Sequence, residues 1–212
     1  GDEVWTQRRG AQQDDEATAV AFGADGTVYV GGRTKSAMAG GSAPLGGWDS
    51  YLTAYATSAK GAPTTLFTKT FGTAGDDKIT GLVVDGVKVT TAGVEAGRGV
   101  LRSFDMALTT VATSRSVDEL GNWTQTVTTS VDGAPGTPVV TSGSQAPSGV
   151  AYVTSSNVTT AGSAADLATR DIGDLGGGTI AGLVLDGGDL YLGGSTRNGA
   201  LTAGAPVAAH SG

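Results

Sequence analysis

Apolar and polar residues alternate in short bursts along this chain, and glycine bounds each burst. Residues 24–32, ADGTVYVGG, set the pattern: a turn dipeptide, Asp25-Gly26, then Thr27-Val28-Tyr29-Val30, then two glycines. Residues 185–194, LDGGDLYLGG, repeat it. Alternation of period two marks a half-buried strand, and Asp-Gly before it marks a tight hairpin. With the closing glycine as marker, the pattern falls at Gly32, Gly93, Gly143 and Gly194, spaced by 61, 50 and 51 residues. Each marker follows an Asp-Gly turn: Asp25-Gly26, Asp85-Gly86, Asp132-Gly133 and Asp186-Gly187. Each turn follows an apolar run: ATAVAF (17–22), ITGLVV (79–84), VTTSV (127–131) and IAGLVL (180–185). Beyond the markers, DSYLTAY (49–55), FDMALTT (104–110) and GVAYVTS (149–155) predict a third strand. VWTQRRG (4–10), LFTKTFG (66–72), NWTQTVT (122–128) and LATRDIG (167–173) predict a fourth. Only AGSAADLATRD (161–171) could form a helical turn.

The alternation places Val28 and Val30 on one sheet face and Thr27 and Tyr29 on the other, with Val28 and Val84 expected in the core. One four-stranded sheet cannot bury both of its faces. Sheets stacked about an axis can, which is the logic of a β-propeller. The expected fold is therefore all-β, a propeller or partial propeller of four-stranded antiparallel blades repeating about every fifty residues. Its divisions would be a partial blade at 1–10, blades at 14–72, 76–128 and 129–173, and a partial blade at 177–200. All would belong to a single domain or a segment of one, excised from a longer chain. The small residues that close the second strands would sit where blades approach closely.

Composition sharpens this picture. Glycine supplies 36 of the 212 residues and proline only 6, a mixture suited to many short strands and glycine turns. The absence of cysteine excludes disulfides, a thiol nucleophile and a thiolate metal site. A net charge of −7, scattered rather than clustered, argues against nucleic acid and anionic membranes as partners. No apolar run approaches the ~20 residues of a membrane-spanning helix.

The stretches DDEATAVAFGADGTVYVGGRT, GGWDSYLTAYATSAKG and LFTKTFGTAGDDKITGLVVD resemble the bacterial SBBP-type β-propeller repeat. The first copy, 14–77, keeps its pattern at Asp15, Asp25, Gly26, Tyr29, Gly32, Thr34, Ser36, Gly46, Gly47, Asp49, Tyr51, Leu52, Phe71, Gly72 and Asp77. The second and third copies are degenerate, and the fourth is good up to Arg197. The resemblance implies a blade and an exported or surface-attached bacterial protein, hence an extracellular or cell-surface location. It implies no ligand.

Candidate chemistry is sparse. Asp15 and Asp77 occupy related repeat positions inside acidic clusters, Asp14-Asp15-Glu16 and Asp76-Asp77. They are the candidates for a metal, Ca²⁺, held by carboxylates and loop carbonyls. The competing role is acceptance of backbone N–H bonds in the turn that enters each unit's first strand. Otherwise no cofactor is implied. The sole histidine, His210, reads as a solvent residue in the tail APVAAHSG, so a Ser-His-Asp triad has little to build on. Gly-rich GRGVLR (97–102) and GDLGGGT (173–179) read as loops. Trp5 and Trp123 fall at equivalent positions and are expected to pack between blades. Trp48, in the Gly-rich loop PLGGWDSY, is placed to touch a partner, with Asp49 beside it. The expected function is a non-catalytic exported or cell-surface scaffold. It would bind another protein or a surface polysaccharide, in a bacterial envelope or flagellar appendage. The alternative is a polysaccharide-binding or polysaccharide-degrading propeller.

Overall fold

The structure is a computed structural model, and it describes residues 3, 6–57, 62–131, 134–150, 152–199 and 201. The strands are β1 (Asp15–Phe22), β2 (Val28–Thr34), β3 (Asp49–Ala56), β4 (Thr64–Phe71), β5 (Asp77–Asp85), β6 (Lys88–Glu95), β7 (Arg98–Val117), β8 (Asn122–Val131), β9 (Ala134–Pro135), β10 (Val139–Ser144), β11 (Tyr152–Asp174), β12 (Thr179–Asp186) and β13 (Asp189–Ser195). The protein is all-β, and the registered strand pairs are antiparallel. Two compact units divide it: residues 1–106 with 164–212, and residues 107–163. Strands β7 and β11 run from one unit into the other.

In the first unit, β1 to β4 form a four-stranded sheet in chain order, spanning Asp15–Phe71. Next come β5, β6 and the first half of β7, and then the β12–β13 hairpin. Strand β5 packs against β1, β2 and β3, and β12 packs against β5 and β6. The core between these sheets holds Leu52, Ile79, Val89 and Phe104, each at most 1% exposed. The rings of Phe71 and Phe104 meet at 5.1 Å. A second cluster gathers Ala92, Leu175, Ile180 and Leu183.

The three hairpins share one irregularity. The register slips between Ala17 and Ala19, between Ile79 and Gly81, and between Ile180 and Gly182, leaving Thr18, Thr80 and Ala181 as bulge residues. Opposite each bulge sits a marker glycine. A Cβ on Gly32, Gly93 or Gly194 would lie 1.9, 2.1 or 2.5 Å from the carbonyl oxygen of Glu16, Lys78 or Thr179. The repeating glycine therefore answers to a backbone approach inside its own hairpin. Gly143 differs, because its missing Cβ makes room for the Trp123 indole.

The turns depart from the expected Asp-Gly geometry. Asp85 and Asp186 are the last paired residues of their strands, facing Lys88 and Asp189. The two-residue loops are Gly86-Val87 and Gly187-Gly188, and glycine supplies the positive φ: 58° at Gly86, 57° and 89° in the latter pair. Asp25 lies in a longer connection, where its Oδ1 accepts the Thr27 N–H and Gly26 has φ 84°. Asp132-Gly133 lies outside the described residues, as do Trp5 and His210.

The core face of β2 is the reverse of the one expected. Tyr29 is 3% exposed, while Val28 and Val30 are half-buried and Val84 likewise. Stacking decides this: Gly31 opens a notch 3.1 Å from Ile79, so the Tyr29 face turns toward β5.

Further along the chain, no closed propeller is found among the described residues. Where separate short strands were expected, β7 runs for 20 residues and β11 for 23. Residues 98–102 are strand rather than loop, and 161–171 is strand rather than helical turn. No Pro, and no Gly beyond Gly99, interrupts β7, so nothing stops it. In the second unit, β8 pairs with β7, β9 and β10. Trp123 stacks under Arg115 at 4.7 Å, within its own sheet.

Candidate functional site

The site grows from the loop between β2 and β3. Strand register places Thr34 opposite Asp49, so the next residues outward, Lys35 and Trp48, face each other across the loop mouth. The Lys35 Nζ lies 4.6 Å from the Trp48 ring centre, and the Arg33 guanidinium lies 4.2 Å from it. Cations over an aromatic face are held by the ring quadrupole. Each is also paired: Arg33 Nε with Glu16 at 2.6 Å and Lys35 Nζ with Asp14 at 2.8 Å. The Lys35 hydrogen bond and charge hold the exposed Asp14 carboxyl below its usual range. Leu45, 66% exposed, lies in the same loop, and Trp48 is half-buried.

Three aspartates fix the backbone beneath this ring, two through their carboxylates and one through its main-chain N–H. Asp49 Oδ2 accepts the Leu45 and Gly46 N–H groups, each at 3.1 Å. Asp76 Oδ1 accepts the Trp48 N–H at 3.1 Å. Asp77 donates its backbone N–H to the Trp48 carbonyl at 2.7 Å. The Asp77 carboxylate accepts the Thr73 N–H at 2.6 Å and the Ala96 N–H at 3.1 Å. Burial pushes the Asp77 carboxyl up, against the pull of these hydrogen bonds. A Cβ on Gly72 would fall 2.2 Å from Asp77 Oδ2 and 3.0 Å from Asp49 Oδ1, so glycine admits both buried carboxylates at this turn.

Of the partner pair expected from sequence, only Trp48 is accessible. Asp49 is 0% exposed and acts as a loop clamp, which corrects its assignment to partner contact. Asp15 and Asp77 sit at equivalent turns but do not converge. Asp15 Oδ2 accepts the Ala11 N–H at 2.6 Å, as Asp77 Oδ2 accepts that of Thr73. The turn role weighed beside Ca²⁺ is the one their hydrogen bonds display. Sequence reasoning missed Arg33 and Lys35, and marked Asp76 only as a member of an acidic cluster. The first two were within reach, because the Thr34–Asp49 pairing implies them once β2 and β3 are joined.

These features describe an all-β chain of stacked, bulged hairpins with a clamped aromatic–cationic surface patch. No family model matches it. Over 214 residues it is 44% identical to regulatory protein FlaEY of Caulobacter vibrioides, an alignment that takes in 100% of this chain and 20% of that protein. The chain thus spans about a fifth of the length of that relative. The comparison overturns the extracellular or cell-surface location expected above, since the similar protein carries a regulator's name. Among the described residues no helix is long and apolar enough to cross a membrane.

Proposed function

We propose that this chain is a non-catalytic protein-binding segment of a flagellum-associated regulatory protein, with propeller-type blades of the SBBP pattern as its scaffold. The Trp48 patch carries the reading. Its indole is held under two cations on a backbone fixed by Asp49, Asp76 and Asp77, with exposed Leu45 alongside. An amphipathic aromatic of low conformational entropy, ringed by paired charges, is the composition of an interface hot spot. A partner surface that offers carboxylates can exchange ion pairs with Arg33 and Lys35 while an apolar residue covers Leu45. The flagellar part of the proposal draws support from the name of the similar protein, FlaEY. Two cations already covering the indole weigh against sugar stacking, and so against the polysaccharide alternative.

The test is affinity capture from the native cell with the full-length protein, comparing wild type with Trp48→Ala. A flagellum-associated protein retained by wild type and reduced by about tenfold or more with Trp48→Ala supports the reading. Equal capture by both proteins removes the patch from it. Recovery of a glycan instead would favour the alternative.

A further inference from the structure

The three hairpins of the first unit stack by one rule, and the rule leaves two faces open. In register, Ala19, Ala21, Tyr29 and Gly31 on β1–β2 correspond to Gly81, Val83, Thr90 and Ala92 on β5–β6, and to Gly182, Val184, Tyr191 and Gly193 on β12–β13. The opposite face is Val20, Phe22, Val28 and Val30 in the first hairpin. It is Leu82, Val84, Thr91 and Val89 in the second, and Leu183, Leu185, Leu190 and Leu192 in the third. Each step seats the second kind of face on the first. Gly31 receives Ile79 at 3.1 Å, and Gly81 receives Leu183 at 2.7 Å.

At the two ends of the stack, the same positions are bare. Gly182 and Gly193 have nothing within 4 Å of where a Cβ would stand. Tyr191 is 57% exposed although its counterpart Tyr29 is 3% exposed, and Val184 is 59% exposed where its counterparts Ala21 and Val83 are half-buried. On the first hairpin, Val20 is 58% exposed although its counterpart Leu82 is 7% exposed, and Phe22 is 69% exposed where its counterpart Val84 is half-buried. On the same hairpin, Val28 and Val30, with Tyr55, Pro63, Thr57, Gln7 and Arg9, line a hollow of about 220 Å³, where the Arg9 guanidinium lies 5.8 Å from the Tyr55 ring. The glycine notch alone would indicate nothing. The same notch is filled twice within this chain by the kind of face that the first hairpin leaves uncovered.

We propose that the outer face of β12–β13 docks the Val20/Phe22 face of a second copy of this chain, head to tail, with Tyr191 entering the hollow lined by Val28, Val30 and Tyr55. The two faces differ, so the contact is heterologous. It propagates into rings or open strings rather than closing as a two-fold dimer. The net charge of −7 makes copies repel, so added salt strengthens the association.

Sedimentation velocity over a concentration series tests this. The wild-type chain is expected to associate with concentration, and Tyr191→Lys and Phe22→Lys each to weaken that by about tenfold or more. Each variant keeps one face intact, so an equimolar mixture is expected to form a 1:1 dimer and nothing larger. Gly193→Val, which fills the notch without adding charge, is expected to act like Tyr191→Lys. It guards against misfolding as the cause, as does an unchanged unfolding midpoint for each variant. A wild type that stays monomeric overturns the proposal. So do a Tyr191→Lys variant that associates normally and a mixture that does not pair.

Discussion

Tyr51 shows how a single residue registers its surroundings. It sits in β3 at 5% exposure, and burial pushes its phenol up to about 12, helped by Tyr55 and Asp15. The folded protein therefore holds this proton through a range where the unfolded chain, near pH 10, gives it up. Stability is expected to be unaffected by Tyr51 below pH ~10 and to fall between about 10 and about 12. Denaturation midpoints across that range check it. Tyrosinate absorbance should show a late-titrating group that Tyr51→Phe removes, distinct from Tyr29, whose phenol burial also pushes up. Asp77 shows burial winning in a carboxylate too: its carboxyl is pushed up although the Thr73 and Ala96 N–H groups donate to it. Its repeat position was legible in the sequence. Its partners were not, because Ala96 approaches only when the β6–β7 turn folds back over the loop.

At the scale of the element, the bulged hairpin is the unit that recurs. A Gly93→Ala change puts a methyl 2.1 Å from the Lys78 carbonyl oxygen, which β5 can accommodate only by losing its register. The expected cost is about 2–3 kcal/mol, read from chemical denaturation. Gly182→Ala, with open space at its Cβ, is expected to cost far less. The marker spacing revealed these hairpins from sequence because Asp-Gly turns and period-two alternation are local signals. The bulge was not visible, since the runs ATAVAF, ITGLVV and IAGLVL carry apolar or small residues on both faces and mask the phase shift it causes. The long β7 and β11 escaped for the converse reason: without turn residues their ends are set by pairing with each other and with β8.

For the whole molecule, burial is uneven between the two units. In residues 107–163, Val117 is the one buried hydrophobic residue among those described, and every position of β10 is exposed. The sheet there rests on backbone pairing and on polar contacts such as Thr110 with Thr160. The first unit holds the remaining buried hydrophobic residues. Native-state hydrogen exchange is therefore expected to show β2, β3 and β6 as the slowest strands and β8 and β10 as much faster. Equal protection in both units would mean that packing is not what sets stability here.

What the chain determined by itself is the all-β class, the hairpins, the marker glycines and the acidic turns. Each follows from short-range physics: φ preferences, alternation and side chains that accept nearby N–H groups. Tertiary structure alone decided which face of β2 is buried and what Asp49 does. Strand β1 is apolar on both faces, Ala19 and Ala21 on one and Val20 and Phe22 on the other, so alternation could not choose between them. The choice came from the fit of Ile79 against Gly31, across 48 residues of chain. In the same way, Asp49 turned inward because two loop N–H groups needed an acceptor, and that left Trp48 to face outward.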